Sequence, residues 1–229
     1  VKQLSELILV LTKNLPKPKQ SELKSQMKQI QRAIEQDGVS WEATTDAACE
    51  RFKGVVNAVS NTLEEHFGST DREVIAIPDT NALLMRPDIE RWNFENREFT
   101  VLLTPTVLSE LDSHKIHHRN DNVRDKARKL VSRIKEYRRR GNLTEGVPCV
   151  SGKIYVKAVA PEPAMDDSLP WFDKDNNDDK FLASAIEIIR DHLSAECFIV
   201  TYDVNMQNKS EFAGIPYREL PEADEASPV

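Results

Sequence analysis

From Arg72 onward, short β-forming runs alternate with stretches of helical periodicity, and this alternation limits the possible folds more than any other feature of the chain. The runs lie at Val74 to Ile77, Thr100 to Leu103 and Cys197 to Thr201, with a last one near Tyr217. Parallel strands need long crossovers to return the chain to the same end of a sheet, and helices supply them. The expected class is therefore α/β, a parallel sheet flanked by helices. Pro148 to Ala160 is ambiguous, with an inserted hairpin as one reading. Ala160 to Asn177, dense in Pro, Asp and Asn, reads as an irregular loop.

Residues 1 to 70 carry no strand pattern. Helical spacing recurs in "QLSELILVLTKNL", in "SELKSQMKQIQRAIEQ" after the "PKPK" breaker, and from Trp41 to Phe67. In the last stretch Phe52, Val55, Val56, Val59 and Leu63 form one stripe, of the kind that usually packs a core. The expected organisation is an all-helical N-terminal region over 1–70, an α/β domain over 73–220 and a short acidic, disordered tail over 221–229. The N-terminal helices leave open a homo-oligomer or a partner contact.

The longest early apolar run, "LILVLT" from Leu7 to Thr12, is far short of the roughly 20 residues that span a bilayer, so no membrane span or signal peptide is expected. Three scattered cysteines, Cys49, Cys149 and Cys197, form neither a CxxC pair nor an even set, which points to a reducing, cytoplasmic compartment. The net charge is -7, which by itself disfavours a nucleic-acid partner. Its distribution reverses that inference. Between Ser113 and Arg140, eleven basic residues stand against three acidic ones, a surplus of eight.

Four acids fall where an open parallel sheet gathers its working residues, beyond the carboxyl ends of the strands. Asp79 follows the first strand. Glu110 lies in "TPTVLSELD", where Thr104 reads as an N-cap and Pro105 as the first helical residue, on the margin of an apolar arc of Val107, Leu108 and Leu111. Asp178 opens the helix of "NNDDKFLASAIEII", and Asp203 follows the strand "CFIVT". Each has a bland reading: Asp79 and Asp178 as helix caps, Glu110 as a boundary glutamate, Asp203 as a turn residue. Capping gives no reason for this chain order of acids at successive element ends. Hard oxygen donors suit Mg²⁺ or Mn²⁺, which would also offset the repulsion among clustered carboxylates.

"PDTNALL", "TPTVLSELD", "NNDDKFLASA" and "VTYDVN" resemble the successive acidic motifs of the PIN-domain ribonucleases, and most closely those of the PINc-type endonuclease domain. "DKARKL" from Asp125 to Leu130 is similar to that subgroup's helix between the second and third acids. The resemblance covers Val74 to Leu220. It implies that Asp79, Glu110, Asp178 and Asp203 are catalytic metal-site acids, with Asp179 in reserve for the third. It also implies that Thr80, Asn81 and Thr201 orient ligands and water. Where the family often has a second Asp after the fourth acid, this chain has Asn205. The implied activity is Mg²⁺- or Mn²⁺-dependent endonucleolytic hydrolysis of single-stranded RNA, leaving 5′-phosphate and 3′-hydroxyl ends, with Asp203 or Glu110 also able to orient water.

Along Asn122 to Arg140 an apolar stripe of Val123, Ala127, Leu130, Ile134 and Tyr137 is flanked by Arg124, Arg128, Lys135 and Arg139, so a helix here can pack by one side and offer a basic track to phosphates. Arg124 and Arg128 are the expected RNA contacts. His114, His117 and His118 lack the further ligands of a zinc site. Trp92 and Trp171 suit packing better than base stacking. A haloacid-dehalogenase-type phosphatase needs a second Asp where Asn81 stands. A catalytically silent PIN-fold module for RNA binding or interaction is the alternative from another class, and a flap-specific DNA nuclease lacks its arch and helix-hairpin-helix patterns here.

Overall fold

The computed structural model describes residues 2–35, 42–67, 73–95 and 97–220. The expected disordered tail lies outside these residues, as do Gln36 and Trp41 of the expected helical stretches. Three helices come first: α1 (Lys2–Leu11), α2 (Lys17–Glu35) and α3 (Thr45–Phe67). The α/β region follows as β1 (Val74–Pro78), α4 (Thr80–Met85), β2 (Phe99–Leu103), α5 (Pro105–His117), α6 (Asp121–Arg140), β3 (Val147–Val150), β4 (Ile154–Ala158), α7 (Asn177–Asp191), β5 (Glu196–Val200), α8 (Val204–Ala213) and β6 (Tyr217–Arg218).

The six strands form one sheet in the order β3-β4-β2-β1-β5-β6. β1 pairs in parallel with β2 and β5, β2 with β4, and β5 with β6; the β3–β4 pair alone is antiparallel. Every residue of β1 is buried, which explains why its sequence "VIAIP" is continuously apolar instead of alternating. From β1 the chain first builds outward through β2 and β4, then crosses to the other side for β5 and β6. The reversal falls between β1 and β5, and a crevice at such a point is where open α/β sheets hold ligands.

The ambiguous segment Pro148 to Ala160 folds as a hairpin whose second strand is integral to the sheet. Its alternating burial (Ile154, Val156 and Ala158 inward) is that of a strand with one covered face. The loop after it is irregular except for a single 3₁₀ turn at Met165–Asp167.

The N-terminal helices divide by packing. Val10 of α1 belongs to the core of the sheet region, while Leu23, Met27 and Val59 of α2 and α3 form a small core of their own. Lys13, just past α1, ion-pairs with Asp167 at 2.5 Å, and Asn14 donates to Asp191 at 3.3 Å. Gly214 ends α8 in the left-handed region at φ 73°, and a Cβ there would stand 3.0 Å from Leu7 Cδ2. Among the described residues no helix is long and apolar enough to cross a membrane.

Candidate active site

The rim at the carboxyl ends of β1 and β5 is built by helix starts. Asp79 is the N-cap of α4, its Oδ1 accepting from Ala82 N at 2.6 Å. Asp203 is the N-cap of α8, its Oδ1 accepting from Asn205 N at 2.8 Å and Met206 N at 3.3 Å. Thr104 caps α5 with Pro105 in its first turn, and Asn176 caps α7, so Asp178 lies one residue inside that helix. The capping reading of Asp79 and Asp203 is thus satisfied by one oxygen of each carboxylate, which leaves the other for a different partner.

Each of the four acids also meets a neutral side-chain donor, and Asp178 a charged one besides. Thr201 Oγ1 donates to Asp79 Oδ2, and Asn81 Nδ2 lies 3.5 Å from Asp203 Oδ2. Glu110 accepts from Thr80 Oγ1 at 2.6 Å and from Asn177 Nδ2 at 3.1 Å. Asp178 Oδ2 accepts from Asn205 Nδ2 at 3.1 Å and from the Lys209 ammonium at 3.3 Å. Thr80, Asn81 and Thr201 therefore each touch one of the four acids. Sequence reasoning misses Asn177 and Lys209 as contacts and marks Asn205 only as a departure from the family's second Asp. Asn205 and Lys209 stand four apart on α8 and so share a face, a spacing that could have suggested Lys209.

Asp79, Glu110, Asp178 and Asp203 line one open cleft of about 650 Å³, together with Ser109, His114 and Lys180. Asp179, the reserve candidate, points elsewhere. It is 6% exposed, accepts from Asp173 N at 3.0 Å and ion-pairs with Lys209 at 2.8 Å. Burial works to lower the pKa of Lys209, but the bond to Asp179 and the charges of Asp178 and Asp179 outweigh it and hold the ammonium above its usual range.

Burial also pushes the Asp79 carboxyl up to about 6; the bonds from Thr201 and Ala82 oppose the shift, and the negative charges of Asp203 and Glu110 add to it. Asp79 thus feels both Asp203 and Glu110, although among the described residues no three Asp, Glu, His or Cys side chains are drawn together tightly enough to hold a metal ion. The donor set still fits a hard divalent cation. All its oxygens are carboxylate, they are steadied mainly by hydroxyls and amides, and their shared negative charge calls for compensation.

Arg124 and Arg128 are placed differently from the acids. Arg124 donates to His118 O at 2.6 Å and ion-pairs with Asp121; Arg128 ion-pairs with Asp125 at 3.0 Å. Neither lines the acidic cleft. Trp92 is buried and donates to Arg86 O at 3.0 Å, while Trp171 stacks edge to face on Phe172 and Phe212. Of the three histidines between Ser113 and Arg119, only His114 reaches the cleft. The three cysteines are free.

The family model for the PIN domain matches residues 76–220, more than half of the chain. The chain belongs to the PIN domain family, and its α/β architecture is of this nuclease type. Among solved structures it is similar to a domain of a functionally unknown protein from Methanocaldococcus jannaschii DSM 2661, at 18% identity over 68% of this chain and 97% of that chain, with a TM-score of 0.40. No curated protein matches the chain.

Proposed function

We propose that this protein is a divalent-metal-dependent endoribonuclease that hydrolyses phosphodiester bonds of single-stranded RNA. The observation that carries the reading is the lining of one cleft, at the switch point of a parallel sheet, by four acids from four separate segments. Asp79, Glu110, Asp178 and Asp203 would hold the cation. When bound, an ion of the Mg²⁺ or Mn²⁺ class supplies an activated water and neutralises charge building up on the phosphate.

The chain's own residues set the conditions for that chemistry. Thr201, Thr80 and Asn81 fix the orientation of Asp79, Glu110 and Asp203, and Asn177 fixes the second oxygen of Glu110. Such supporting bonds typically contribute about 10–100-fold in metal affinity or activity. Lys209 ion-pairs with Asp178 at 3.3 Å and so helps to hold that side chain at the cleft. A phosphodiester arriving at this rim meets a wall that carries an imidazole, His114, and an ammonium, Lys180, beside the acids.

The test is cleavage of matched RNA and DNA single strands by the purified chain with Mn²⁺ or Mg²⁺, with EDTA as control. RNA is cut internally, EDTA stops the reaction, and Asp203→Asn abolishes it while the circular dichroism spectrum is kept. RNA left intact by the parent, or cut equally fast by Asp203→Asn, rules the assignment out.

A further inference from the structure

Two grooves open from the acid-lined cleft, one toward each end of the hairpin formed by α5 and α6. The first, of about 420 Å³, shares Asn81, His114 and Asp203 with the cleft and continues to Met85, His118, Lys126 and Tyr202. The second, of about 490 Å³, shares Ser109 and Glu162 and continues to Arg138 and Asn142. The antiparallel hairpin explains the arrangement: the start of α5 lies beside the end of α6, and the end of α5 beside its start.

Each groove contains a cation that no described acidic side chain neutralises. Among the described residues Lys126 and Arg138 have no ion-pair partner, unlike Arg124, Arg128 and Arg133 on the same helix. Twelve positions apart on α6, they are separated by about 18 Å along its axis. At about 3.4 Å per stacked nucleotide that distance spans roughly five nucleotides, and fewer when the strand is extended.

The first groove also offers surfaces on which a base can lie. The His114 and His118 rings meet edge to face with centroids 5.1 Å apart. Met85 is 57% exposed, although four of the six residues of its helix are buried. Tyr202 is half-buried, with its hydroxyl tied to Leu220 O at 3.2 Å, so its ring is held in place. Aromatic faces beside an exposed thioether accept any base by stacking, without reading its edge.

We infer that a single RNA strand crosses the acids along the α5–α6 hairpin, seating a base and phosphate in the groove of Met85, His118 and Lys126 on one side and a phosphate on Arg138 on the other. This path rests on the nuclease reading for its substrate class. It also assigns the phosphate contacts to Lys126 and Arg138 in place of Arg124 and Arg128, whose guanidiniums are engaged within the protein.

The experiment is fluorescence anisotropy of a single-stranded RNA of roughly twelve nucleotides, longer than the footprint, with the full chain carrying Asp79→Asn and Mg²⁺ present. Lys126→Ala and Arg138→Ala are each expected to weaken binding about three- to tenfold and to lower the slope of log affinity against log salt by about one. His118→Ala and Met85→Ala together weaken it about fivefold with the slope unchanged, since stacking releases no counterion. Arg128→Ala changes affinity less than about twofold. Unaltered binding by both Lys126→Ala and Arg138→Ala, or a loss as large for Arg128→Ala, overturns the path. Neither result touches the nuclease reading, which fails separately if the Asp79→Asn chain still cuts the RNA.

Discussion

Replacing Asp79 by Asn should stabilise the metal-free protein at neutral pH. Asp79 is 6% exposed, and burial, reinforced by the charges of Asp203 and Glu110, moves its carboxyl from 3.8 to about 6. Because the folded-state value is the higher one, protonation favours the native state. The associated stability is fully present below pH 3.8 and is lost as the pH rises through 6. A shift of this size corresponds to about 3 kcal/mol at pH 7. For a chain of this length that is on the order of 6–12 °C in Tm. The amide of the variant keeps the oxygen that caps α4 and carries no charge, so the substituted side chain is insensitive to pH in this range. The assay is urea unfolding in EDTA at several pH values between about 4 and 7.5. The parent should lose stability relative to Asp79→Asn across the interval, most steeply between about pH 4 and 6. Parallel stability profiles for the two proteins would refute the claim that this carboxyl is forced to ionise in a desolvated place.

Two further predictions concern residues outside the set of four acids. Lys209→Met leaves Asp179 buried with only the Asp173 amide as donor to its carboxylate, and unfolding in urea should show a loss of about 1–3 kcal/mol, the cost of an under-satisfied buried polar group. Gly214→Ala forces a Cβ into a left-handed position against Leu7, and the expected loss of at least about 1 kcal/mol should come with faster proteolysis near α1, since that helix is what the methyl group displaces.

The parts of this molecule that can be read from its sequence are those where one residue type has few possible settings. A buried parallel strand leaves the continuous apolar run "VIAIP", and the residue after it must sit at the sheet rim, so the position of Asp79 follows from the chain alone. The same holds for Asp203 after "CFIVT", and for Thr104 and Pro105 at the start of α5. β4 is harder, because Pro148, Gly152 and Lys157 give its neighbourhood the composition of a loop, while its place beside β2 depends on a pairing distant in sequence.

Contacts by polar residues that lie off the apolar stripes are not legible in the same way. Asn177 and Lys209 contribute to no apolar period, and what they touch depends on how α7 and α8 are set against the rim. The basic residues of α6 present the same difficulty. Periodicity separates its buried stripe of Ala127, Leu130, Ile134 and Tyr137 from its polar side, but which cations on that side are tied to nearby acids, and which face a groove, depends on the α5–α6 packing. The docking of α1 on the sheet region is likewise invisible, because a short amphipathic helix does not indicate which core it joins.

Electron paramagnetic resonance of Mn²⁺ titrated into the purified chain addresses the four carboxylates most directly. Four single variants, Asp79→Asn, Glu110→Gln, Asp178→Asn and Asp203→Asn, are compared with the parent, each first shown to be folded by circular dichroism. If the four acids share a cation, the parent binds Mn²⁺ and every variant binds it about tenfold more weakly or worse. A parent that leaves all the Mn²⁺ free in solution, or variants that bind it as the parent does, would mean that these side chains line one cleft without serving one ion.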